Sequence, residues 1–396
     1  MLTDRQIKLT VGSLLHDIGK VVYRSGDGRN HSMSGAEFLE KDAKIEDSEI
    51  LHCVKYHHGK YLAGANIENS DLAYITYFAD NVAAFVDRRD SDTQEDGFDK
   101  QMPLNSVFNI LNNNNGHSHY SMQVLNPKDS VNYPTSQNTV MDEHFYKTVV
   151  QNITDNLRGI TMSEEYVNSL LSVMEANLTY IPSSTSKREL ADISLYDHVK
   201  ITAAIAECVE QYLSETNETN YRQVLFDKAK ETYSKEMFML YSMDVSGIQS
   251  FIYSIADAGA LKGLRARSFY LEIMMEHIID ELLEKLSLSR ANLIYCGGGH
   301  CYMILPNTDK VIRILEQYEH DTNDWLRKTF DISLYIACGY AKASANVLRN
   351  EPAGSYEKLY KTVSEIISKR KSHRYEAEMI REFNNQTHDE ERECSV

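Results

Sequence analysis

The stretch LLHDIGK at 14–20 sets an adjacent histidine and aspartate, His16 and Asp17, inside a segment whose apolar residues recur every three or four positions. That recurrence marks a helix with one buried face. It extends outward through IKLTVGSLLHDIGKVV, GAEFLEKDA, EILHCVKYHH and LAYITYFADNVAAFVD, which predicts a run of helices between residues 5 and 90. From 91 to 140 Asn, Ser, Asp and Pro displace the periodic apolar residues, and the segment reads as a polar surface insertion. Helical pattern resumes over 142–178 and breaks at the Pro and Ser residues of 182–186. It returns as one long apolar-faced helix in DISLYDHVKITAAIAECVEQYLSE, 192–215. Residues 1–90 and 141–235 are therefore expected to build one helical unit, with the second part also serving as a linker.

Within the first 80 residues stand His16-Asp17, His31, the pair His57-His58, and Asp80 in FADN. Imidazole mixed with carboxylate suits divalent transition metals, and two such ions can activate a water and hold both oxygens of an in-line phosphoryl displacement. His16, Asp17, His31, His57, His58 and Asp80 are the candidate ligands, with His16 and Asp17 as the catalytic pair. The competing reading is a set of structural histidines around an inert pocket, since a helix histidine is usually satisfied by a backbone carbonyl. His52 faces elsewhere on its helix and is left out. The constellation resembles the site of HD hydrolases. Those domains begin with a helix that bears one further histidine upstream, and none stands upstream here. YDHVKITAAIAECVEQYL at 196–213 has the same look, with Ile201, Ala204 and Ile205 following His198 at helical spacing. A circular permutation would bring His198 to the site from the far end of the unit; alternatively Asp197-His198 only caps or packs.

The remainder has another rhythm. MFMLYSMDV (237–245) reads as a strand and 261–286 as a helix, NLIYC and CYMILP flank GGGH as a hairpin, 309–330 is helical, DISLYIACGYA (331–341) is a strand, and YEKLYKTVSEIISKRK (356–371) is a closing helix. The order β-α-β-β-α-β is the ferredoxin-like unit, also the core of polymerase and cyclase palms. A catalytic palm holds Mg2+ between carboxylates at the end of its first strand and in the following hairpin. Asp244 suits the first position, but the turn reads Gly297-Gly298-Gly299-His300 and supplies no carboxylate, so this palm is not expected to polymerise nucleotides by itself. Asp244, Ser246, Gly247, Gln249, Gly298, Gly299 and His300 remain candidate nucleotide contacts, against the plainer reading of a hairpin that needs Gly for its turn. The expected class is α+β: an all-helical domain, then the palm over 236–380. The tail 381–396 shows no core pattern.

The chain has 396 residues, 42% of them hydrophobic and 25% charged, which excludes a disordered or collagenous chain and leaves room for two or three domains. A net charge of −17 argues against coating nucleic acid with the whole surface, because phosphate binding depends on Lys and Arg displacing counterions. It leaves room for a local basic groove; the richest basic stretches are Lys262, Arg265, Arg267, and Lys369, Arg370, Lys371, Arg374, whose plainer reading is a solvated helix face. Six scattered cysteines, without a CxxC, suit reduced thiols, with Cys394 alone in the polar tail. No apolar run approaches the ~20 residues of a membrane span, and the first residues are neither a signal peptide nor a lipidation motif. A cytoplasmic location and no membrane partner are expected.

LLHDIGK, YHHGK, AYITYFADNVAAFVDRRD, SSTSKRELADISLYDH, MDVSGIQSFIYSI, LRARSFYLE and NLIYCGGGH together resemble the large subunit of type III-A CRISPR effector complexes, the Csm complex. The resemblance runs from the first helix to about residue 380. It implies an antiviral-defence subunit with a permuted HD domain that degrades single-stranded DNA, using a divalent metal (Mn, Ni, Co or Mg) and two ions. The implied ligands are His16, Asp17, His31, His57, His58 and Asp80, with His198 on the permuted helix; Lys20 would steady the scissile phosphate. Implied partners are other Csm subunits, guide RNA and target RNA through the complex, and single-stranded DNA as substrate. The family's second palm carries GGDD and makes cyclic oligoadenylates from ATP. This sequence stops at Glu393-Cys394-Ser395-Val396, where family members would start a zinc module, so a truncated or split product is expected, with ATP at the palm interface only if a second palm is supplied in trans. The alternatives are a non-catalytic scaffold or remnant of the guide-RNA complex and, more remotely, a free HD phosphohydrolase acting on nucleotides.

Overall fold

A computed structural model describes residues 1–87, 96–111, 116–137, 139–253, 260–375 and 377–385. The N-terminal helices are α1 (Asp4–Leu15), α2 (Gly19–Arg24), α3 (His31–Lys41), α4 (Ser48–Tyr56), α5 (Gly59–Leu62) and α6 (Ala73–Asp87); α7 (Phe108–Leu111) is a short turn in the polar segment. After it come α8 (Glu143–Leu157), α9 (Glu164–Leu178) and α10 (Leu195–Glu215). Local sequence sets the ends. Thr3 closes a capping box with Gln6 ahead of α1, and Asn30, Asp47, Asp142 and Ser194 each accept a first-turn N–H of the helix that follows.

α10 is the spine. Every residue from 202 to 210 is buried, and Ala203, Ala204 and Ala206 let neighbouring helices approach closely. Its Val199 and Ala203 belong to the core shared with α1, α3, α4, α8 and α9, whereas Ile205, Cys208 and Val209 belong to a second core with α6 and the sheet. Glu207, wholly buried at this junction, accepts from Thr10 Oγ1 (2.8 Å), Ser289 Oγ (2.6 Å) and Ser289 N (2.8 Å). Burial pushes its carboxyl above the usual range, and the three donors oppose that shift. Glu207→Ala strands those donors in the interior and opens a cavity. It is expected to lower stability by about 2–4 kcal/mol, read as a lower urea midpoint; an unchanged midpoint would show that the clamp contributes nothing.

A π-helical turn (Arg222–Asp227) and α11 (Ala229–Thr232) lead into β1 (Phe238–Ser246), α12 (Ile248–Tyr253), α13 (Ala260–Leu286), β2 (Leu293–Gly297), β3 (His300–Pro306), α14 (Asp309–Phe330), β4 (Tyr335–Ala343), α15 (Ala345–Leu348), α16 (Ser355–Ser372) and α17 (Ala377–Asn385). The sheet is antiparallel in the order β2-β3-β1-β4, with Asp244 opposite His300 on β3 and Ala337 on β4. This is the ferredoxin-like arrangement, so the α+β class read from the sequence holds. Alternation along β1 sends Met239, Tyr241, Met243 and Val245 into the core with α13 and α14, and Phe238 and Leu240 into the core shared with α16 and the N-terminal helices.

Several boundaries differ from the sequence reading. The pattern over 142–178 is two helices, interrupted around Gly159, whose φ is +70°. The strand expected from 331 begins at Tyr335, because Asp331 adopts φ +54° at the end of α14. α17 covers the first part of the tail expected to lack a core pattern, while residues 386–396, Cys394 among them, lie outside the described residues. Within the polar segment, backbone bridges join Asn105 to His119 and His119 to Thr135. Cys53, Cys208, Cys301 and Cys338 are buried free thiols and Cys296 is half-buried. No helix among the described residues is long and apolar enough to cross a membrane.

Candidate metal centre

The residues singled out at the HD stretch sit at the ends and inner faces of helices that converge. His16 is the C-cap of α1 and Asp17 follows it in the turn into α2. His31 is the first residue of α3, His57 caps the C-terminus of α4, and His58 precedes α5. Asp80 lies midway along α6, and His198 lies in the first turn of α10. The turn is possible because of Gly19. A Cβ there would stand 1.7 Å from the carbonyl oxygen of His31 and 2.8 Å from the Gly35 nitrogen, so only glycine lets the start of α2 meet the start of α3. Neither Gly19 nor Gly35 was singled out in the sequence; the signal was the glycine immediately after His-Asp-Ile.

Asp17 divides the histidines between its two oxygens. Its Oδ1 lies 3.6 Å from His31 Nε2 and 3.6 Å from His57 Nε2; its Oδ2 lies 3.4 Å from His16 Nε2 and 3.2 Å from His198 Nε2. Asp80 Oδ1 completes the second group, 3.6 Å from His16 Nε2 and 3.2 Å from His198 Nε2. In the first group His31 Nε2 is 2.7 Å from His58 Nε2 and 3.4 Å from His57 Nε2. Two compact donor sets result, His31/His57/His58 and His16/Asp17/His198. The seven predicted ligands are therefore brought together. His52 is not among them; its Nδ1 pairs with Asp71 at 2.7 Å.

Two imidazoles are oriented by the backbone. His16 Nδ1 lies 2.7 Å from the Ser13 carbonyl and His57 Nδ1 lies 2.7 Å from that of Val54. A carbonyl only accepts, so each Nδ1 carries the proton and each Nε2 points inward, the tautomer and ring orientation that a backbone acceptor imposes on a metal-binding histidine. Burial drives the His57 imidazole well below its usual range and His31 down to about 4, so both are neutral lone-pair donors near neutral pH. His58 is lowered for the same reason. Burial lowers His16 too, but Asp17 and Asp80 outweigh it and raise the imidazole; a cation held by those carboxylates would take the place of the Nε2 proton they favour. Burial alone would raise both carboxyls. The Lys20 ammonium and His16 hold Asp17 well below the carboxylate range, and His16 and His198 do so for Asp80. Lys20 Nζ sits 2.5 Å from Asp17 Oδ2.

This donor set fits a divalent pair. His16 Nε2 and Asp17 Oδ1 are buried with no hydrogen-bond partner among the described residues, although each faces further lone pairs. Buried acceptors crowded against one another are unfavourable unless a cation lies between them. The centre opens into a cavity of about 700 Å3. Lys20, Tyr23 and Arg24 line it together with the candidate ligands Asp17, His31, His58, Asp80 and His198, and Phe98 and Ser183–Ser186 line it from farther along the chain.

The sheet holds a second polar cluster. Asp244 Oδ2 lies 3.0 Å from His300 Nδ1 and 2.7 Å from Lys371 Nζ, and Ser242 Oγ lies 3.1 Å from His300 Nε2. These partners lower the Asp244 carboxyl against the effect of its burial. Of the candidate nucleotide contacts, the structure joins only Asp244 and His300. Gly298 and Gly299 form the hairpin turn with φ of +61° and +79°, Ser246 is buried, and Gln249 is exposed on α12. Gly247, at φ +92°, has no room for a Cβ against the Ser333 carbonyl.

Residues 2–84 match the family model described as HD domain, and residues 237–386 match that described as Csm1 subunit domain B. Over 406 residues the chain is 41% identical to the CRISPR system single-strand-specific deoxyribonuclease Cas10/Csm1 (subtype III-A) of Enterococcus italicus, covering 99% of this chain and 54% of that protein. It is 39% identical over 436 residues to the protein of the same description in Mycobacterium tuberculosis, covering 100% and 54%. The chain thus spans about half the length of the curated relatives it matches. Among solved structures, a Csm1-Csm4 cassette in complex with pppApA superimposes with a TM-score of 0.74 at 27% identity, over 92% of this chain and 49% of that one. A Csm1-Csm4 subcomplex of the type III-A CRISPR-Csm interference complex gives 0.71 at 27% identity, over 92% and 48%.

Proposed function

This chain belongs to the Cas10/Csm1 family of subtype III-A CRISPR systems, and on that premise we propose that it is a metal-dependent nuclease for single-stranded DNA whose centre is the cluster around Asp17. The observation that carries the reading is the division of Asp17 between two histidine groups, one on each carboxylate oxygen. His31, His57 and His58 would hold one ion, His16, His198 and Asp80 the other, and Asp17 would bridge them. Bound there, a divalent pair supplies Lewis-acid polarisation of a phosphodiester and a water. A donor set dominated by imidazole favours Co or Ni over the harder Mg, with Mn between them. The Ser13 and Val54 carbonyls keep the His16 and His57 lone pairs aimed inward, and the helices exclude bulk water from Asp17. Lys20 is placed to leave Asp17 and take an oxygen of the scissile phosphate, because its partner's charge would be taken up by the ions.

We place the HD unit at 1–90 completed by 141–235, with 91–140 inserted and the palm at 236–380. Relatives solved as Csm1-Csm4 assemblies support a Csm4-type subunit as partner, and through it the guide and target RNA. ATP would be used at this palm only with a second palm, since the hairpin turn Gly297-Gly298-Gly299-His300 supplies no carboxylate to hold Mg2+ with Asp244.

The test is degradation of a labelled single-stranded oligonucleotide and its duplex with Mn2+ and with EDTA. Chelation is expected to slow cleavage of the single strand by about 10^3-fold or more, as loss of the activating ions demands, with the duplex resistant throughout. Undiminished cleavage in excess EDTA would end the proposal.

A further inference from the structure

Phe98 is 73% exposed, an unusual state for a phenylalanine on an ordered segment, and it lines the same cavity as Asp17, His31, His58, Asp80 and His198. It is held there by main chain. Phe98 bridges Ser186 in antiparallel fashion, Asp99 N donates to the Thr185 carbonyl at 2.9 Å, and Lys187 N donates to the Gly97 carbonyl at 3.0 Å. A two-stranded clip therefore places the Phe98 backbone beside the hydroxyl-rich stretch 183–186. In that stretch Ser184 Oγ accepts from Ser186 N (3.2 Å) and Ser186 Oγ accepts from Arg188 N (3.3 Å), which leaves each hydroxyl its own proton to donate into the cavity they line. Near this clip an aromatic face, two O–H donors and a candidate phosphodiester-cleaving centre share one space. A nucleotide presents the complementary parts: a π-face, a phosphate, and the next phosphate to be cut.

Resting on the nuclease reading above, we propose that Phe98 is the base-stacking residue that selects unpaired DNA at this site, with Ser184 and Ser186 donating to the phosphate of the stacked nucleotide. In a duplex both faces of each base are covered by neighbouring base pairs, so an exposed ring lining the cavity has nothing to meet. An unpaired base has a free face, and stacking on an aromatic is tolerant of base identity. The ring selects strandedness, not sequence.

Binding of fluorescein-labelled dT10 and of an abasic strand of the same length to the full chain, in EDTA and read by anisotropy, tests this without any cleavage. The natural chain is expected to prefer dT10 roughly 5- to 100-fold, the equivalent of one stacked base. Phe98→Ala should erase that preference and Phe98→Trp retain it, with unchanged thermal midpoints because the ring is exposed. Ser184→Ala/Ser186→Ala should weaken both strands alike. An equal affinity of the natural chain for the two strands, or a preference untouched in Phe98→Ala, overturns the proposal. The nuclease reading fails separately: a chain that discriminates the strands yet cleaves neither with Mn2+ keeps the stacking role and loses the catalytic one.

Discussion

Asp17→Asn is expected to remove both ions and to reduce Mn2+-dependent cleavage of single-stranded DNA by about 10^3-fold or more. The amide keeps the shape of the carboxylate, so the helices should still assemble, but it carries no charge and offers only one acceptor. Whichever way it turns, an NH2 group faces either the His31/His57 pair or the His16/His198 pair, each within 3.6 Å of the native oxygens. Metal content of the purified chain separates this from a general loss. The natural protein should retain about two equivalents of Mn2+ after mild dialysis and Asp17→Asn fewer than one. Asp80→Asn, whose native oxygen reaches only the His16/His198 side, should retain about one. Two ions and native activity in Asp17→Asn would show that the carboxylate does not bridge.

Gly19→Ala is the other large effect. The added methyl would overlap the His31 carbonyl and crowd the Gly35 nitrogen, both backbone atoms that no rotamer change can move. Helix α3 has to shift, and strain of this kind costs about 3 kcal/mol, at the upper end for overpacking. Because His31 opens α3, the same displacement should weaken Mn2+ binding at the His31/His57/His58 group. A lower urea midpoint together with a reduced metal content is the expected pair of results. Gly35→Ala should be milder, since its nearest contacts are 3.0 Å or more away. A Gly19→Ala chain as stable as the natural one would mean that the starts of α2 and α3 lie far enough apart to admit a methyl group.

Much of the centre is legible before any fold is known. His16-Asp17, His57-His58 and Asp80 stand out because metal-binding groups interrupt apolar helical pattern, where an unsatisfied polar side chain would be unfavourable. His198 is different. Nothing in its own helix distinguishes a ligand from a packing histidine, and only the antiparallel return of α10 against α1 and α6 brings its Nε2 within 3.2 Å of both aspartates. Lys371 makes the same point in the sheet domain. It stands in a basic run whose plain reading is a solvated helix face, yet α16 lies across the sheet and delivers its ammonium to Asp244. Phe98 lay inside a stretch that composition marks as polar surface, and its exposure at the cavity follows from pairing with residues nearly ninety positions later.

What sequence alone determined was the class of each element and the chemistry available: helical periodicity, the β-α-β-β-α-β order, and imidazoles with carboxylates suited to divalent ions. These are local properties, set by side-chain spacing and by the preferences of each residue type. Tertiary structure decided which oxygen of Asp17 meets which histidine, that Gly19 must lack a side chain, and that Phe98 shares a cavity with the candidate metal site. Those are ångström-scale relations between segments far apart in the chain, fixed by how the helices pack around α10 and by the pairing of Phe98 with Ser186, and no periodicity within one segment encodes them.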